Sequence, residues 1–358
     1  MPKQRLYFVK CMDTNEHYFA DGARHLYVPR LNTLSNCSSI GLRAWLSESE
    51  NYIPIKLPLS GCFEIDFYDI SEALSALAHD IVRLTCASFE TVDAISEIPN
   101  QRKFLAWQLV EYYYSAFYSA HSTLKICGFG LLQLNSQIIR QIKRRAETLG
   151  VELSQISQGV YCVNICPSES KMVFYLVAKY DDSHRGLWRR YYDFLNVLLG
   201  FSVSTGALDS NCIRPRKISD AYSQSVYAQL SQQDAEIVAS HIDGVKNILN
   251  KNSDCNWLSW VRNSINYNHA FGIWYPYKTF KAEYEKLIPM RNLYRQNSLN
   301  ESFASIENES ELVQYVKCCQ QINAFNMDLI KDLSVRHPEN KSFLKNGPLA
   351  YLNLHPLA

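Results

Sequence analysis

The sequence lacks several features on which common protein classes depend. Its 358 residues include eleven cysteines, an odd number with no Cys-x-x-Cys pair, which argues against a disulfide scaffold and a structural zinc site. No apolar run approaches the roughly 18 residues that a membrane helix needs, and the first residues lack the apolar stretch of a secretory signal. The formal net charge is only +1, so no global basic field attracts nucleic acid. We therefore expect a cytoplasmic protein without a membrane segment, in which any contact with nucleic acid is local.

The signatures of several enzyme classes are missing as well. Gly128 and Gly130 lack the third glycine of a dinucleotide-binding loop, and there is no Walker-type phosphate loop. The chain has no Gly-x-Ser-x-Gly elbow, and its nine histidines show no His-Glu-x-x-His or other metal-ligand spacing. These absences predict that the chain uses no cofactor and no metal.

The composition is that of a folded protein with a sizeable core, since 47% of the residues are hydrophobic and 13% are aromatic. Residues 1–68 read as a β-rich N-terminal segment, because short runs of β-branched and aromatic residues alternate there with glycine and proline. The predicted strands cover residues 5–9, 25–28, 52–57 and 62–67.

Helical patterns dominate the rest of the chain. Asp69 and Glu72 have the spacing of a capping box, and an apolar stripe with helical spacing follows to about residue 89. The clearest helix covers 101–128, where apolar residues recur every four positions and Gly128 is a natural stop. Further helices are predicted at 135–149, 187–199, 231–249, 257–268 and 309–333, and strands at 160–165 and 172–178.

These elements predict a mainly α fold. Residues 69–130 and 216–335 form one helical domain, and an α/β insertion at 131–215 interrupts it. The β-rich segment 1–68 precedes this domain, and a C-terminal tail, 336–358, follows it.

The most informative residues are Arg262 and His269. They are seven positions apart, which at about 100° per residue is almost two helical turns. Arg262, Asn266 and His269 are therefore predicted to share one polar helix face, with His269 near the C-terminal end of the helix. Arginine offers a planar fork of donors to phosphate oxygens, and histidine exchanges protons near neutral pH. Together they can cleave RNA without a metal, with the 2′-hydroxyl as the nucleophile.

The same residues resemble the signature of HEPN-superfamily ribonucleases. Arg262 is followed by Asn263, then by His269 and Phe-Gly-Ile-Trp-Tyr-Pro. The earlier run Glu-Tyr-Tyr-Tyr-Ser-Ala-Phe-Tyr-Ser-Ala-His at 111–121 is similar to the aromatic second helix of that superfamily. The resemblance covers 70–130 and 220–335.

This resemblance implies a HEPN-like helical bundle and an endoribonuclease. It implies a homodimer in which two motifs form one cleft that cleaves single-stranded RNA, such as tRNA or mRNA. Arg262, Asn263 and His269 are then catalytic, and Asn266 contacts the RNA. Such proteins commonly act as toxins or antiphage defence effectors, so the resemblance also implies a neutralising or activating protein partner.

Two basic groups are further candidates for RNA contacts: Arg140, Lys143 and Arg144 in one, and Arg189 and Arg190 in the other. The first could track phosphates, and the second lies among aromatic residues that could stack bases. Each group also has an interpretation without RNA. The first group can be an ordinary solvated helix face. In the second, the aromatic residues can belong to the core, with the arginines at its rim.

The aromatic helix adds weaker candidates. His121 is interpreted as a core residue, whereas Glu111, Ser115 and Ser122 are predicted to form a stripe that approaches the cleft.

The alternative function is a catalytically silent helical module that dimerises and binds a partner, with the β-rich part as a sensor. A large part of the chain lies outside the resemblance, which keeps this alternative open.

Overall fold

A computed structural model describes much of the chain, in segments separated by gaps. The described residues are 19–20, 23, 26–27, 37–97, 105–177, 183–202, 232–274, 285–291, 293–295, 306–336 and 347–355. The predicted strand at 5–9 lies outside them.

Helices make up most of the described chain, which confirms the mainly α prediction. They are α1 (Leu42–Glu48), α2 (Ile70–Glu97), α3 (Leu105–Ile126), α4 (Ser136–Thr148), α5 (Ser183–Ser202), α6 (Gln232–Leu249), α7 (Trp257–Asn266), α8 (Glu311–Arg336) and α9 (Pro348–Leu354). The predicted helices correspond to α2 to α8; most ends shift by a few residues, but α2 continues to Glu97, well past its predicted end at about residue 89.

Five strands form one antiparallel sheet. They are β1 (Tyr52–Lys56), β2 (Cys62–Phe67), β3 (Phe129–Leu134), β4 (Gly159–Cys166) and β5 (Lys171–Leu176), in the order β1-β2-β5-β4-β3. β2 pairs with β5, and Phe63 stacks on its partner Phe174 with ring centroids 4.5 Å apart. The sheet therefore joins strands from the predicted N-terminal segment and from the predicted insertion, whereas the domain boundaries themselves stay a prediction.

The N-terminal segment contains more helix than its sequence predicts. Leu26 and Tyr27 are helical, so the strand predicted at 25–28 is wrong there. Helix α1 was not predicted at all, because it is short and no side chain caps its first turn. Its buried residues Leu42, Trp45 and Leu46 recur at helical spacing, so packing against the core stabilises this helix.

Helix α3 lies at the centre of the bundle and contacts α2, α5, α7 and α8. A buried polar layer joins three of these helices: the Ser88 hydroxyl lies 2.7 Å from that of Ser119, and the Asn323 amide donates to Ser115 at 2.9 Å. Small side chains let the helices approach closely, and each of these groups finds a hydrogen-bond partner. Past the last residue of α3, Gly128 has φ +77°, which fits its predicted role as a helix stop. α3 is therefore a fixed platform for the residues on its outer side.

Candidate functional site

Arg262 lies on α7 with its guanidinium against α3. Its guanidinium carbon is 4.9 Å from the ring centroid of Tyr113 and 5.9 Å from that of Tyr114. The side chain is only 8% exposed, so it is packed between helices rather than solvated. Val261 and Ile265 on the same helix are fully buried.

The Arg262 cation has no anionic partner in the described part of the chain. Its Nε is buried and lacks a hydrogen-bond acceptor, and no described carboxylate forms an ion pair with it. Burial acts to lower the pKa of Arg262, but the Tyr113 hydroxyl raises it and the net shift is upward. The side chain is therefore a fixed positive charge that an anionic ligand could neutralise.

Tyr113 holds this arginine in place. Its hydroxyl lies 2.8 Å from the Ser259 hydroxyl and 2.9 Å from Nδ1 of His184, and the Trp188 indole donates to it at 3.0 Å. Burial raises the pKa of Tyr113 to about 12, so the phenol is neutral. The ring under Arg262 is thus fixed by contacts from both α5 and α7.

His269 is not on the helix, which corrects the prediction that it shares a helical face with Arg262. α7 ends at Asn266, and His269 has left-handed backbone angles of φ +51° and ψ +33°. The last helical hydrogen bond runs from the N–H of Tyr267 to the carbonyl of Asn263, at 2.9 Å, and the chain leaves the helix after it. His269 is exposed, three residues past the helix.

Trp274 fixes the exposed imidazole. The His269 and Trp274 rings are stacked, with centroids 5.4 Å apart and an interplanar angle of 29°. The Trp274 indole donates to the carbonyl of Ile265 at 2.7 Å, one turn after Arg262. His269 is therefore attached to the C-terminal end of the helix that carries Arg262. This role of Trp274 was not predicted, although Trp274 lies in the run that follows the histidine.

The backbone after α7 is strained. Phe271 has φ +66°, a conformation that is unusual for a large side chain, and it follows His269 by only two residues. Such conformations persist when the surroundings determine them, and they are concentrated at functional sites.

The two predicted asparagines differ in exposure. Asn263 is exposed and Asn266 is half-buried. Adjacent side chains on a helix diverge by about 100°, so Asn263 points away from the Arg262 side of α7. It belongs to an exposed stripe with Trp260, which is 46% exposed, and Tyr267, which is 69% exposed.

Trp107 extends the aromatic cluster onto α3. Its ring meets that of Trp274 edge to face at 5.8 Å, and its side chain is 52% exposed. Trp107 was not among the predicted site residues. Helical spacing could have identified it, because Trp107 lies on the same polar side of α3 as Glu111 and Tyr114.

The weaker candidates on α3 differ in burial. Ser115 and Ser122 are fully buried among helices, so the stripe predicted to approach the cleft does not form. Glu111 is partly exposed, has one buried oxygen without a hydrogen-bond partner, and burial raises its pKa. The interpretation of His121 as a packed residue agrees with its ring contact to Phe117 at 4.8 Å.

The first basic group is not part of this site. Arg140 and Arg144 are exposed on α4, and Lys143 is half-buried. α4 packs on α1, β1 and β3, whereas α7 packs mainly on α3. The structure therefore does not bring this group together with Arg262, and a role in RNA binding stays a prediction.

The structure corrects the prediction for one residue of the second basic group. Arg190 is only 2% exposed and its guanidinium donates to Asn164 at 2.5 Å, so it is not available to RNA. Trp188 and Tyr191 are fully buried core residues. Arg189 is exposed, and stays a predicted RNA contact.

The chain matches no protein-family model, no curated protein and no solved structure. Among the residues with described positions, no group of three His, Cys, Asp or Glu side chains could hold a metal ion. None of the helices described above is long and apolar enough to cross a membrane.

Proposed function

We propose that the chain is a metal-independent endoribonuclease that cleaves single-stranded RNA with Arg262 and His269. The observation that carries the proposal is that one helix, α7, carries a fixed guanidinium without a countercharge among the described residues, and that an exposed imidazole is attached to the end of the same helix. Cations held in place before the substrate arrives are effective at stabilising charge that develops in a transition state.

The proposed reaction is an attack of the 2′-hydroxyl oxygen on the adjacent phosphorus. A bond forms between the 2′ oxygen and phosphorus, and the bond from phosphorus to the 5′ oxygen breaks. The products are a 2′,3′-cyclic phosphate and a 5′-hydroxyl. The 2′-hydroxyl loses a proton and the 5′ oxygen gains one, which are tasks for an imidazole, while Arg262 neutralises the phosphorane-like charge.

The two proton transfers favour a homodimer. One imidazole in one protonation state can either accept a proton or donate one, so two copies of His269 supply both functions in one cleft. The HEPN resemblance implies the same arrangement across a two-fold axis. The exposed side chains of Trp260 on α7 and of Tyr267 directly after it offer an apolar surface for such a contact.

A toxin or antiphage defence effector is the biological role that the resemblance implies. Uncontrolled RNA cleavage is harmful to the host, so a neutralising partner or an activating event has to restrain the enzyme. tRNA or mRNA is the proposed substrate.

The test is an RNA cleavage assay in EDTA with three proteins: the unmodified chain, Arg262→Ala and His269→Ala. Cleavage by the unmodified chain and its loss in both variants is the expected result. Cleavage that persists equally in both variants, or no cleavage under any condition, contradicts the proposal. Gel filtration of the same samples tests the dimer.

The second candidate is a catalytically silent module that dimerises and binds a partner. The exposed stripe on α7 favours it, because such a surface serves binding whether or not RNA is cut. An intact dimer that loses its partner when residues 1–67 are deleted, with RNA left uncut, is the result that supports this candidate.

A further inference from the structure

Three aromatic rings, the last of them the proposed catalytic histidine, form a cluster that begins at the surface of α3. Trp107 meets Trp274 edge to face at 5.8 Å, and Trp274 stacks on His269 at 5.4 Å. The indole hydrogen bond from Trp274 to Ile265 fixes the middle ring. The cluster is therefore ordered before any ligand binds.

The outermost ring of this cluster is open to solvent. Trp107 is 52% exposed, whereas Trp45, Trp188 and Trp257 are buried. An indole in this position exposes apolar area that is normally covered in a folded protein, and it offers a flat surface for stacking.

The charge beside this cluster indicates which flat ligand fits. Arg262 is a buried cation with no described anionic partner, and Ile265, the residue that holds Trp274, lies one turn after it on α7. Glu111 lies one turn from Trp107 on α3, but burial raises the pKa of its carboxyl, which favours the neutral form. A ligand that combines an anion with a flat apolar ring matches these groups, and an unpaired nucleotide is such a ligand.

We infer that Trp107 stacks an unpaired base of the RNA next to the phosphate that Arg262 and His269 contact. This inference rests on the proposed function, because it places the base relative to the scissile phosphate. The bases of a duplex are stacked on each other and cannot reach the indole, so the site selects single strands. The stacking surface is thus on α3, and not among the buried rings of α5.

The test uses a fluorescein-labelled 2′-O-methyl oligouridine, which binds as a single strand but cannot be cleaved. Its Kd is measured by fluorescence anisotropy for the unmodified chain, Trp107→Ala and Trp107→Phe, with Tyr68→Ala as the control. Tyr68 is 66% exposed and follows strand β2, so its loss removes an exposed ring elsewhere. Because Trp107 is exposed, its replacement leaves the core intact.

We expect Trp107→Ala to weaken binding by roughly 5- to 160-fold, the range found for the loss of one stacked base. Trp107→Phe keeps a ring and weakens binding less, and Tyr68→Ala changes nothing. The salt dependence of Kd stays the same in Trp107→Ala and becomes shallower in Arg262→Ala, because only the second loses a phosphate contact.

Three results overturn the inference: no binding of the probe by the unmodified chain, equal binding by Trp107→Ala, or equal binding of the corresponding duplex. The cleavage assay separates this failure from that of the proposed function. If RNA is cut but Trp107→Ala binds normally, only the stacking site is wrong. If binding depends on Trp107 and RNA is never cut, only the cleavage is wrong.

Discussion

The guanidinium carbon of Arg262 lies 4.9 Å from the centre of the Tyr113 ring, so a charge from one helix is held on an aromatic residue of another. A cation in this position is attracted by the ring face, and the ring itself is fixed by three polar neighbours. The arginine is thus positioned by packing on aromatic rings.

Replacing Tyr113 with phenylalanine tests this positioning. The variant keeps the ring but leaves Ser259, His184 and Trp188 without their shared partner, so we expect a loss of about 1–3 kcal/mol in the free energy of unfolding. Urea titration measures this change. Tyr114→Phe is the matched control, because no described hydrogen bond involves its hydroxyl, and a similar loss in both variants contradicts the account.

Replacing Trp274 with alanine removes the support of His269. If Trp274 is a positioning residue, kcat for RNA cleavage falls about 10-fold, equivalent to about 1.4 kcal/mol, while KM changes little. Trp107→Ala shows the opposite pattern, because it removes binding to the substrate. Steady-state kinetics of both variants measures kcat and KM separately. A rise in KM alone for Trp274→Ala contradicts a positioning role for Trp274.

We expect the loss of the buried ion pair between Lys125 and Asp80 to destabilise the fold strongly. Their side chains meet at 2.9 Å and are almost fully buried. Asp80→Asn leaves the ammonium without a countercharge, and we expect a loss of about 3–5 kcal/mol in urea unfolding. Arg83→Ala is the control, since Arg83 is 65% exposed and 3.9 Å from the same carboxylate, and it changes stability by less than about 0.5 kcal/mol.

The imidazole of His121 makes the free energy of unfolding depend on pH. Burial, together with Lys125, His184 and Arg83, lowers the pKa of this imidazole to about 3, against the opposing effect of Asp80. The unfolded chain binds a proton here below its ordinary pKa of 6.5, whereas the folded chain does so only near pH 3. Stability from this residue is therefore present above pH 6.5 and is lost as pH falls, by about 1 kcal/mol per pH unit.

The variant His121→Asn removes that slope. Urea titrations at several values between pH 4 and pH 8 measure it, with the values at pH 8 as the internal reference. An unchanged slope in the variant shows that other groups cause the acid destabilisation.

The helices could be predicted because their apolar residues recur with helical period over long stretches, as in α3 and α8. α1 could not, since it is short, lacks a side-chain cap and depends on Trp45 and Leu46 packing into the core. The pairing of β2 with β5 could not be predicted either, because these strands are far apart in sequence and only the folded sheet brings Phe63 to Phe174.

The surroundings of Arg262 and His269 differ from those that the sequence predicts. Helical spacing placed Arg262 on an open face of its helix. In the structure, Tyr113 from α3 packs against the Arg262 guanidinium. The same spacing extended the helix to His269, although the chain turns after Asn266. Trp107 was missed because its partner Trp274 lies more than a hundred residues away in sequence.

The most direct test of the central claim is the identity of the RNA ends produced in EDTA. A single-stranded RNA and its 2′-deoxy counterpart are incubated with the purified chain, and the product ends are determined by mass spectrometry. The account predicts 2′,3′-cyclic phosphate and 5′-hydroxyl ends from the RNA, no cleavage of the deoxy strand, and no product from His269→Ala. Intact RNA, or equal cleavage by His269→Ala, contradicts it.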